Sequence, residues 1–269
     1  MKILKKLALV LVLLLLFVAT GSTVKASWTS DFHGGAAAIS SGQPRAVLIA
    51  GTQVIDGQQV ISTVTVAAVN PMTHKTTYVN IDPMKLFADN DYMALEYQVG
   101  GVDRVRIKLE SMLGLRFNDI YEVNMNQLGD FASALGGIKV TNTKAFNMNG
   151  IGFGKGTSTF YSNRFLTAFT SEITLNDAEN AAARRNTVGL AILSKVRNLP
   201  NLNAIWGPLQ NDVRTNLTAS QLVSVFAVYR TSLNPVTVTM AGTAQNGINP
   251  GRYSQAAVNR VRTLIHNAL

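Results

Sequence analysis

The first 26 residues constrain where the rest of the chain can fold. Three lysines lie among the first six residues, and an unbroken apolar run extends from Leu7 to Ala19. A basic start, a leucine-rich stretch and a polar exit are typical of an export signal. Val24-Lys25-Ala26 resembles a small-x-small cleavage site, and without cleavage the uncharged run from Leu7 is just long enough to span a bilayer. We therefore interpret residues 1–26 as a signal peptide or signal anchor.

Export limits the chemistry that the remaining chain can use. The N-terminal lysines would stay cytoplasmic by the positive-inside rule, so we expect an extracytoplasmic protein, membrane-anchored or secreted to the cell wall. The chain has no cysteine, which excludes disulfides, thiol catalysis and sulfur-ligated metal. Hydrophobic residues make up 47% and charged residues 14%, a composition that excludes disorder and provides for a packed core.

The net charge of +9 is unevenly distributed. Residues 27–183 contain 11 basic and 14 acidic residues, whereas residues 184–269 contain nine basic residues and a single acid, Asp212. A basic second half favours an anionic partner, and outside a cell the available anions are lipid head groups, phosphorylated glycans and wall polymers. Export argues against nucleic acid. A solvated basic surface without a partner is the alternative.

Strand and helix patterns alternate after a small, polar tether at residues 27–45. Val60–Asn70 and Thr76–Ile81 predict a β-hairpin, and Val102–Leu113 predicts a helix that Gly114 ends. The remaining predicted elements are strands at Arg45–Ala50, Phe117–Met125, Ile138–Thr141 and Val236–Met240, helices at Asn126–Leu135, Asn176–Arg197, Ala219–Tyr229 and Ser254–Leu269, and a flexible loop at Gly150–Gly156. This alternation predicts an α/β fold with a mixed sheet covered by helices on both faces, formed by residues 46–269.

Several segments, in the right order, resemble the LytR-CpsA-Psr family. They are Val66–Pro71 with Lys75–Val79, Gly100-Gly101, Met112–Leu115, Asp119–Asn124, Phe131–Val140 and Asn211–Thr218. The resemblance covers most of the chain from Ala46 to Leu269. It implies a three-layer α-β-α sandwich with a central mixed β-sheet.

The resemblance also implies a function. Members of this family are membrane-anchored extracytoplasmic proteins that move glycopolymers from polyprenyl-pyrophosphate carriers to peptidoglycan. A hydrophobic pocket holds the lipid tail, arginines at its mouth bind the pyrophosphate, and aspartates hold magnesium. These residue types suit the chemistry, because planar guanidinium groups bind phosphates in a bidentate manner and carboxylates hold the divalent ion that bridges phosphate oxygens.

The sequence departs from the family at the positions of its charged residues. Gln53 takes the place of an aspartate after the first strand, and Val60-Ile61-Ser62-Thr63 takes the place of Arg-Ser-Asp-Thr. Ile81–Met84 lacks the arginine of Ile-Pro-Arg-Asp, although Lys85 follows it. Thr170 and Glu172 occupy the positions of paired arginines on a later strand. Magnesium is therefore implied by the resemblance only, without its carboxylate ligands, so we predict no certain cofactor, no metal-binding residues and reduced or lost catalysis.

One arginine of a later helix motif survives. Arg184 matches it, Arg185 lies beside it, and Asp177 lies about where an aspartate precedes the motif. We predict Arg184 and Arg185 as phosphate-binding residues. Adjacent residues on a helix point about 100° apart, so Arg184 is the better candidate for direct contact.

Three interpretations remain open on the sequence alone. The first is a glycopolymer transferase of divergent chemistry, in which Arg184, Arg185 and Lys85 replace the usual set. The second is a non-catalytic binder of polyprenyl-phosphate lipid or anionic wall polymer. The third is a wall protein without a ligand pocket. The predicted partners are a lipid-linked glycan or wall polymer and, through the N-terminal segment, the membrane.

Overall fold

The computed structural model describes two long stretches of the chain, residues 42–170 apart from Asn149 and residues 251–269. Between them it describes residues 213–218, 234–240 and 242, and single positions of helical conformation within 184–195 and 221–229. The predicted signal segment 1–26, most of the tether 27–45, Glu172, Asp177 and Arg185 lie outside the described residues. No helix in the described part of the chain has both the length and the apolar character needed to cross a membrane.

Strands and helices alternate as the sequence predicts. The strands are β1 (Arg45–Ile55), β2 (Gln58–Asn70), β3 (Lys75–Ile81), β4 (Asp119–Asn124), β5 (Ile138–Asn142), β6 (Phe146–Met148), β7 (Ile151–Phe153), β8 (Gly156–Phe160), β9 (Val213–Thr215) and β10 (Asn234–Thr239). The helices are α1 (Met93–Leu113), α2 (Leu128–Ala134), α3 (Asn163–Thr170) and α4 (Gln255–Ala268), and a 3₁₀ turn at Met125–Gln127 precedes α2.

The main sheet has six strands in the order β10-β3-β2-β1-β4-β9. The pairs β1–β2, β2–β3 and β4–β9 are antiparallel, whereas β1–β4 and β10–β3 are parallel. The sheet is therefore mixed, and the predicted β2–β3 hairpin is confirmed. Two small antiparallel pairs, β5–β8 and β6–β7, lie outside it.

Helices cover both faces of this sheet. Alternate residues of β1 enter two separate cores: Leu48 and Ala50 pack with α1 and α4, whereas Val47 and Ile49 pack with α2, α3 and the four small strands. This alternation follows from the period-two geometry of a strand whose two faces are both covered. The predicted α/β sandwich around a mixed sheet is confirmed.

Two local predictions need correction. The helix expected at Val102–Leu113 begins at Met93 and contains a kink at Gly100-Gly101, where both residues have non-helical backbone angles. The segment Gly150–Gly156 was expected as a flexible loop, but it contains β7 and the first residue of β8. Phe153 explains that order, since its ring packs against Phe146 and Phe169 in the core.

The helix ends follow the predicted chemistry. Gly114 caps α1 in the left-handed conformation, with φ 64°. Ser254 begins α4 by accepting a hydrogen bond from the backbone N–H of Ala257 at 3.1 Å. Arg262 of α4 donates from Nε to the carbonyl of Met112 at 3.0 Å, so a cation from α4 meets the carbonyl end of α1.

A buried ion pair links β1 to β4 at the first residue of each strand. Arg45 donates from Nε to Asp119 Oδ2 at 2.8 Å and from a terminal nitrogen to the other carboxylate oxygen. Both side chains are almost completely buried. Burial raises the pKa of Asp119, and the Arg45 guanidinium offsets part of that rise.

A second buried carboxylate joins four elements at the opposite end of the same strands. Glu122 of β4 accepts hydrogen bonds from the Tyr97 hydroxyl of α1, from Gln59 of β2 at 3.2 Å and from Arg214 of β9 at 3.0 Å. Gln59 also donates to the Thr52 hydroxyl of β1 at 3.1 Å. Burial and the Glu122 carboxylate raise the pKa of Tyr97 far above its ordinary value, so the hydroxyl remains a donor. We name the five residues Glu122, Tyr97, Gln59, Arg214 and Thr52 the Glu122 cluster.

Removal of the negative charge from the β1–β4 ion pair should be costly. Asp119→Asn leaves the Arg45 guanidinium buried without a counter-charge, so we expect the free energy of unfolding to fall by about 3–5 kcal/mol in urea denaturation. The control is Asp89→Asn, which affects an exposed partner of Lys108 and should cost about 1 kcal/mol or less. Equal losses in the two variants would contradict the importance of the buried pair.

The Glu122 cluster yields a separate stability prediction. Glu122→Gln keeps the shape of the side chain but turns a donor toward Arg214, whose side chain is one-third exposed. The loss should therefore be smaller than that of Asp119→Asn, about 1.5–3 kcal/mol in the same urea titration. A change below about 0.5 kcal/mol would show that the cluster does not hold the strand ends together.

Candidate functional site

The carboxyl end of β1 presents Gln53 beside an open groove. The β1–β2 register shifts between Gly51 and Thr52, and Ser62 donates a hydrogen bond to the Gly51 carbonyl at 3.2 Å across the bulge. Gly51 is required there because a Cβ atom would lie 2.2 Å from Thr63 Oγ1 and 3.0 Å from Met125 Sδ. The bulge thus shifts the register just before Gln53, which pairs with Val60 of β2.

The groove lies on the α3 face of the sheet and has a volume of about 490 Å³. Its walls come from β1, the 3₁₀ turn, β7 and α3. The lining residues are Gln53, Val54, Asn126, Ile151, Arg164, Thr167 and Ala168. The polar groups among them are one guanidinium, two side-chain amides and one hydroxyl, and no carboxylate is present.

An aromatic cleft of about 240 Å³ lies on the other side of α3. Four phenylalanine rings dominate its wall: Phe153, Phe160, Phe165 and Phe169. Phe165 stacks on Phe160 with ring centroids 6.5 Å apart and is 44% exposed, so it lies at the mouth of the cleft. The cleft wall also includes the polar residues Asn142, Ser158 and Thr159. The helix α3 therefore separates a groove that contains a guanidinium from a cleft with an aromatic wall.

Arg184, the predicted phosphate-binding residue, is buried beside the aromatic rings. Its Nε donates to the Phe169 carbonyl at 2.7 Å, and its guanidinium lies 4.4 Å from the centroid of the Phe146 ring. Arg184 lines neither cavity, although Phe169 forms part of the aromatic cleft. Its phosphate role stays a prediction, and Arg185 lies outside the described residues.

The other candidate charges lie on the opposite side of the sheet. Lys85 stands over the Tyr253 ring at 5.9 Å, on the side that α4 covers. Asp89 and Asp91 both pair with Lys108 of α1. The structure therefore gathers these groups around α1 and α4.

The residues present do not fit magnesium. Gln53 and Ser62, at the two positions where the resemblance implies aspartates, are neutral, and Ser62 is engaged with the Gly51 carbonyl. Within the described residues, no group of three acidic or histidine side chains could hold a metal ion. Magnesium in proteins is bound through carboxylates together with substrate phosphates, and the groove residues that the structure describes include no carboxylate.

Arg164 is the functional candidate that the sequence analysis missed. It lies on α3, which was not predicted, and Thr170, expected on a strand, is the last residue of that helix. The signal available was a lone cation at the start of an apolar segment, Asn163-Arg164-Phe165-Leu166. That pattern alone does not tell which cavity the side chain faces.

Comparison with known proteins identifies the family. The model of the LytR_cpsA_psr family matches residues 36–266. The teichoic acid transferase TagU of Bacillus licheniformis, described as acting between polyisoprenyl-teichoic acid and peptidoglycan, is 26% identical over 247 residues, which cover 86% of this chain and 80% of that protein. TagU of Bacillus subtilis (strain 168) is 26% identical over 245 residues with the same coverage.

Solved structures agree with this match at the level of the fold. The crystal structure of B. subtilis TagU gives a TM-score of 0.60 at 24% identity and covers 84% of this chain and 97% of that one. A structure of TagT bound to LIIa-WTA gives a TM-score of 0.67 at 19% identity and covers 88% and 99% of the two chains. Since the family match extends over most of the sequence, this chain belongs to the LytR_cpsA_psr family.

Proposed function

We propose that this chain is an extracytoplasmic cell-envelope protein that binds a lipid-linked wall polymer on the α3 face of its sheet, with transfer to peptidoglycan reduced or lost. The named function of the TagU relatives supports the substrate class. Residues 1–26 would direct export or anchor the chain, residues 27–45 would tether it, and residues 46–269 would form the binding domain.

The observation that carries the proposal is the pair of cavities on either side of α3. A polyprenyl-linked glycan is amphipathic, with an apolar chain, a charged phosphate linkage and a polar polymer. The aromatic cleft suits an apolar chain, and the neighbouring groove offers one cation with neutral donors. One helix therefore places the two chemistries that such a ligand needs beside each other.

Reduced catalysis follows from the groove's composition. A diphosphate leaving group accumulates negative charge, which relatives of this class would neutralise with a metal and several arginines. Here the groove contains Arg164 as its single cation among the described lining residues and has no carboxylate to hold a metal. Arg184, one of the two predicted phosphate-binding residues, would add positive potential behind the aromatic rings.

The alternative is a non-catalytic binder of anionic wall polymer that does not take the lipid. The size of the aromatic cleft favours this alternative, because about 240 Å³ is below the usual 300–1,000 Å³ of small-molecule pockets. The described cleft accommodates only a short stretch of a polyprenyl chain. The presence or absence of bound lipid separates the two functions.

We expect polyprenyl phosphate to co-purify with the full chain expressed in a bacterial host, detected by native mass spectrometry. Phe165→Ala should lower the lipid-bound fraction by about fivefold, since a half-exposed phenylalanine contributes roughly 1 kcal/mol of apolar contact. Met72→Ala is the matched control, because Met72 is an exposed apolar residue in the β2–β3 turn.

Two results would contradict lipid binding at the cleft. The first is wild-type protein without lipid, which would favour the polymer-binding alternative. The second is equal lipid retention by wild type and Phe165→Ala, which would place the lipid elsewhere. Arg184→Ala, measured in parallel, tests whether the predicted phosphate role of that residue survives its burial.

A further inference from the structure

The groove beside α3 has the chemistry of an anion site that works without a metal ion. We propose that it holds a phosphate or diphosphate group without divalent metal, with Arg164 as the cation, Gln53 as a neutral donor, and Asn126 and Thr167 in the wall beside them. The inference deepens the proposed function and rests on it only for the source of the phosphate.

The polar lining consists of groups able to donate hydrogen bonds. A guanidinium has five N–H donors and no acceptor, each side-chain amide has two N–H donors, and a hydroxyl has one. Because the described lining residues include no carboxylate, they carry a single positive charge. Planar guanidinium groups bind phosphate through paired, charge-assisted hydrogen bonds, the strongest class available in such a site.

Arg164 keeps its charge available for a ligand. Within the described part of the chain, its guanidinium makes no hydrogen bond or ion pair, and the side chain is exposed. Other arginines at this end of the sheet are engaged: Arg214 binds Glu122, and Arg104 binds Glu96 at 2.9 Å. Arg164, whose charge has no acidic partner among the described residues, thus lines the groove on the α3 face.

Hydrogen bonds hold the backbone next to the polar groove residues in place. Gln53 follows Thr52, whose hydroxyl accepts from Gln59 and donates to the Val123 carbonyl at 3.3 Å. Asn126 lies in a turn where its own N–H donates to Asn124 Oδ1 at 3.1 Å. Arg164 and Thr167 are three residues apart on α3, so they share a face of that helix.

The same composition disfavours a metal-bridged phosphate. A divalent cation in the groove would meet the Arg164 charge and no carboxylate, since Glu122, at this end of the sheet, is buried on the other face with Arg214. The volume of about 490 Å³ holds a diphosphate with part of an attached sugar or lipid. The guanidinium therefore takes the place of the metal charge.

The test is isothermal titration of the purified full chain with inorganic pyrophosphate, in EDTA and again in excess magnesium. We expect binding in EDTA and no gain in affinity on adding magnesium. Arg164→Gln should weaken binding in EDTA by about 10- to 100-fold, the usual effect of removing a charge-assisted hydrogen bond. Arg116→Gln, a change of the same chemistry at a highly exposed arginine after α1, should leave the affinity within twofold.

A second variant tests whether a carboxylate at the groove opposes anion binding. Gln53→Glu introduces a carboxylate with little change of shape, so it should lower pyrophosphate affinity in EDTA by at least tenfold. Farnesyl pyrophosphate distinguishes the source of the phosphate: tighter binding than pyrophosphate, lost in Phe165→Ala, identifies a lipid head group, and equal binding identifies a free or polymer-borne phosphate.

The proposal is overturned if wild type binds no pyrophosphate at millimolar concentration, if binding requires magnesium, or if Arg164→Gln binds as tightly as wild type. These results are distinct from a failure of the proposed function. Protein that retains polyprenyl phosphate but does not bind pyrophosphate would refute the anion site alone, whereas protein that binds pyrophosphate but never carries lipid would refute the lipid-binding function alone.

Discussion

The parallel pairing of β1 with β4 is the contact on which the rest of the structure depends. Both are interior strands of the six-stranded sheet, and each is buried on both faces. Buried polar groups fix the pair at its two ends, with Arg45 and Asp119 at the start and the Glu122 cluster at the finish. Burying carboxylates costs free energy, so these contacts define the register of the strands rather than simply adding stability.

That fixed register determines what each face of the sheet can do. On the α1 face, the Glu122 carboxylate of β4 is paired internally with Tyr97, Gln59 and Arg214. On the α3 face, Gln53, the residue after Thr52 in β1, lines the groove. The described residues of that groove include one cation, Arg164, and no acid. The paired Glu122 carboxylate and the Arg164 guanidinium therefore lie on opposite faces of the sheet.

The sequence was sufficient to predict five of the six strands of the main sheet, because buried strands and hairpins leave local patterns, whereas the short strand β9 was not predicted. Val60–Asn70 and Thr76–Ile81 alternate with turn residues between them, and Ser254 is a recognisable helix cap. The kinked start of α1 was missed, since Gly100-Gly101 resembles a helix boundary. The order of Ile151–Phe153 was also missed, because its cause is ring packing with Phe169, which is distant in sequence.

The candidate site was less predictable for a physical reason. Gln53 and Ser62 could be singled out as neutral replacements because the family resemblance gives their positions. Arg164 could not, since its role depends on facing a groove whose other walls come from β1 and β7. Helical periodicity likewise could not show that Arg184 packs beneath Phe146.

We propose that the chain keeps the binding face of its family but has lost most of the transfer chemistry. The most direct measurement is a transfer assay with radiolabelled polyprenyl-pyrophosphate-linked polymer, peptidoglycan acceptor and magnesium, with B. subtilis TagU alongside as the active reference. The account predicts that this chain binds the labelled donor and transfers it at least a hundredfold more slowly than TagU, with no stimulation by magnesium. Magnesium-dependent transfer at a rate close to that of TagU would contradict it.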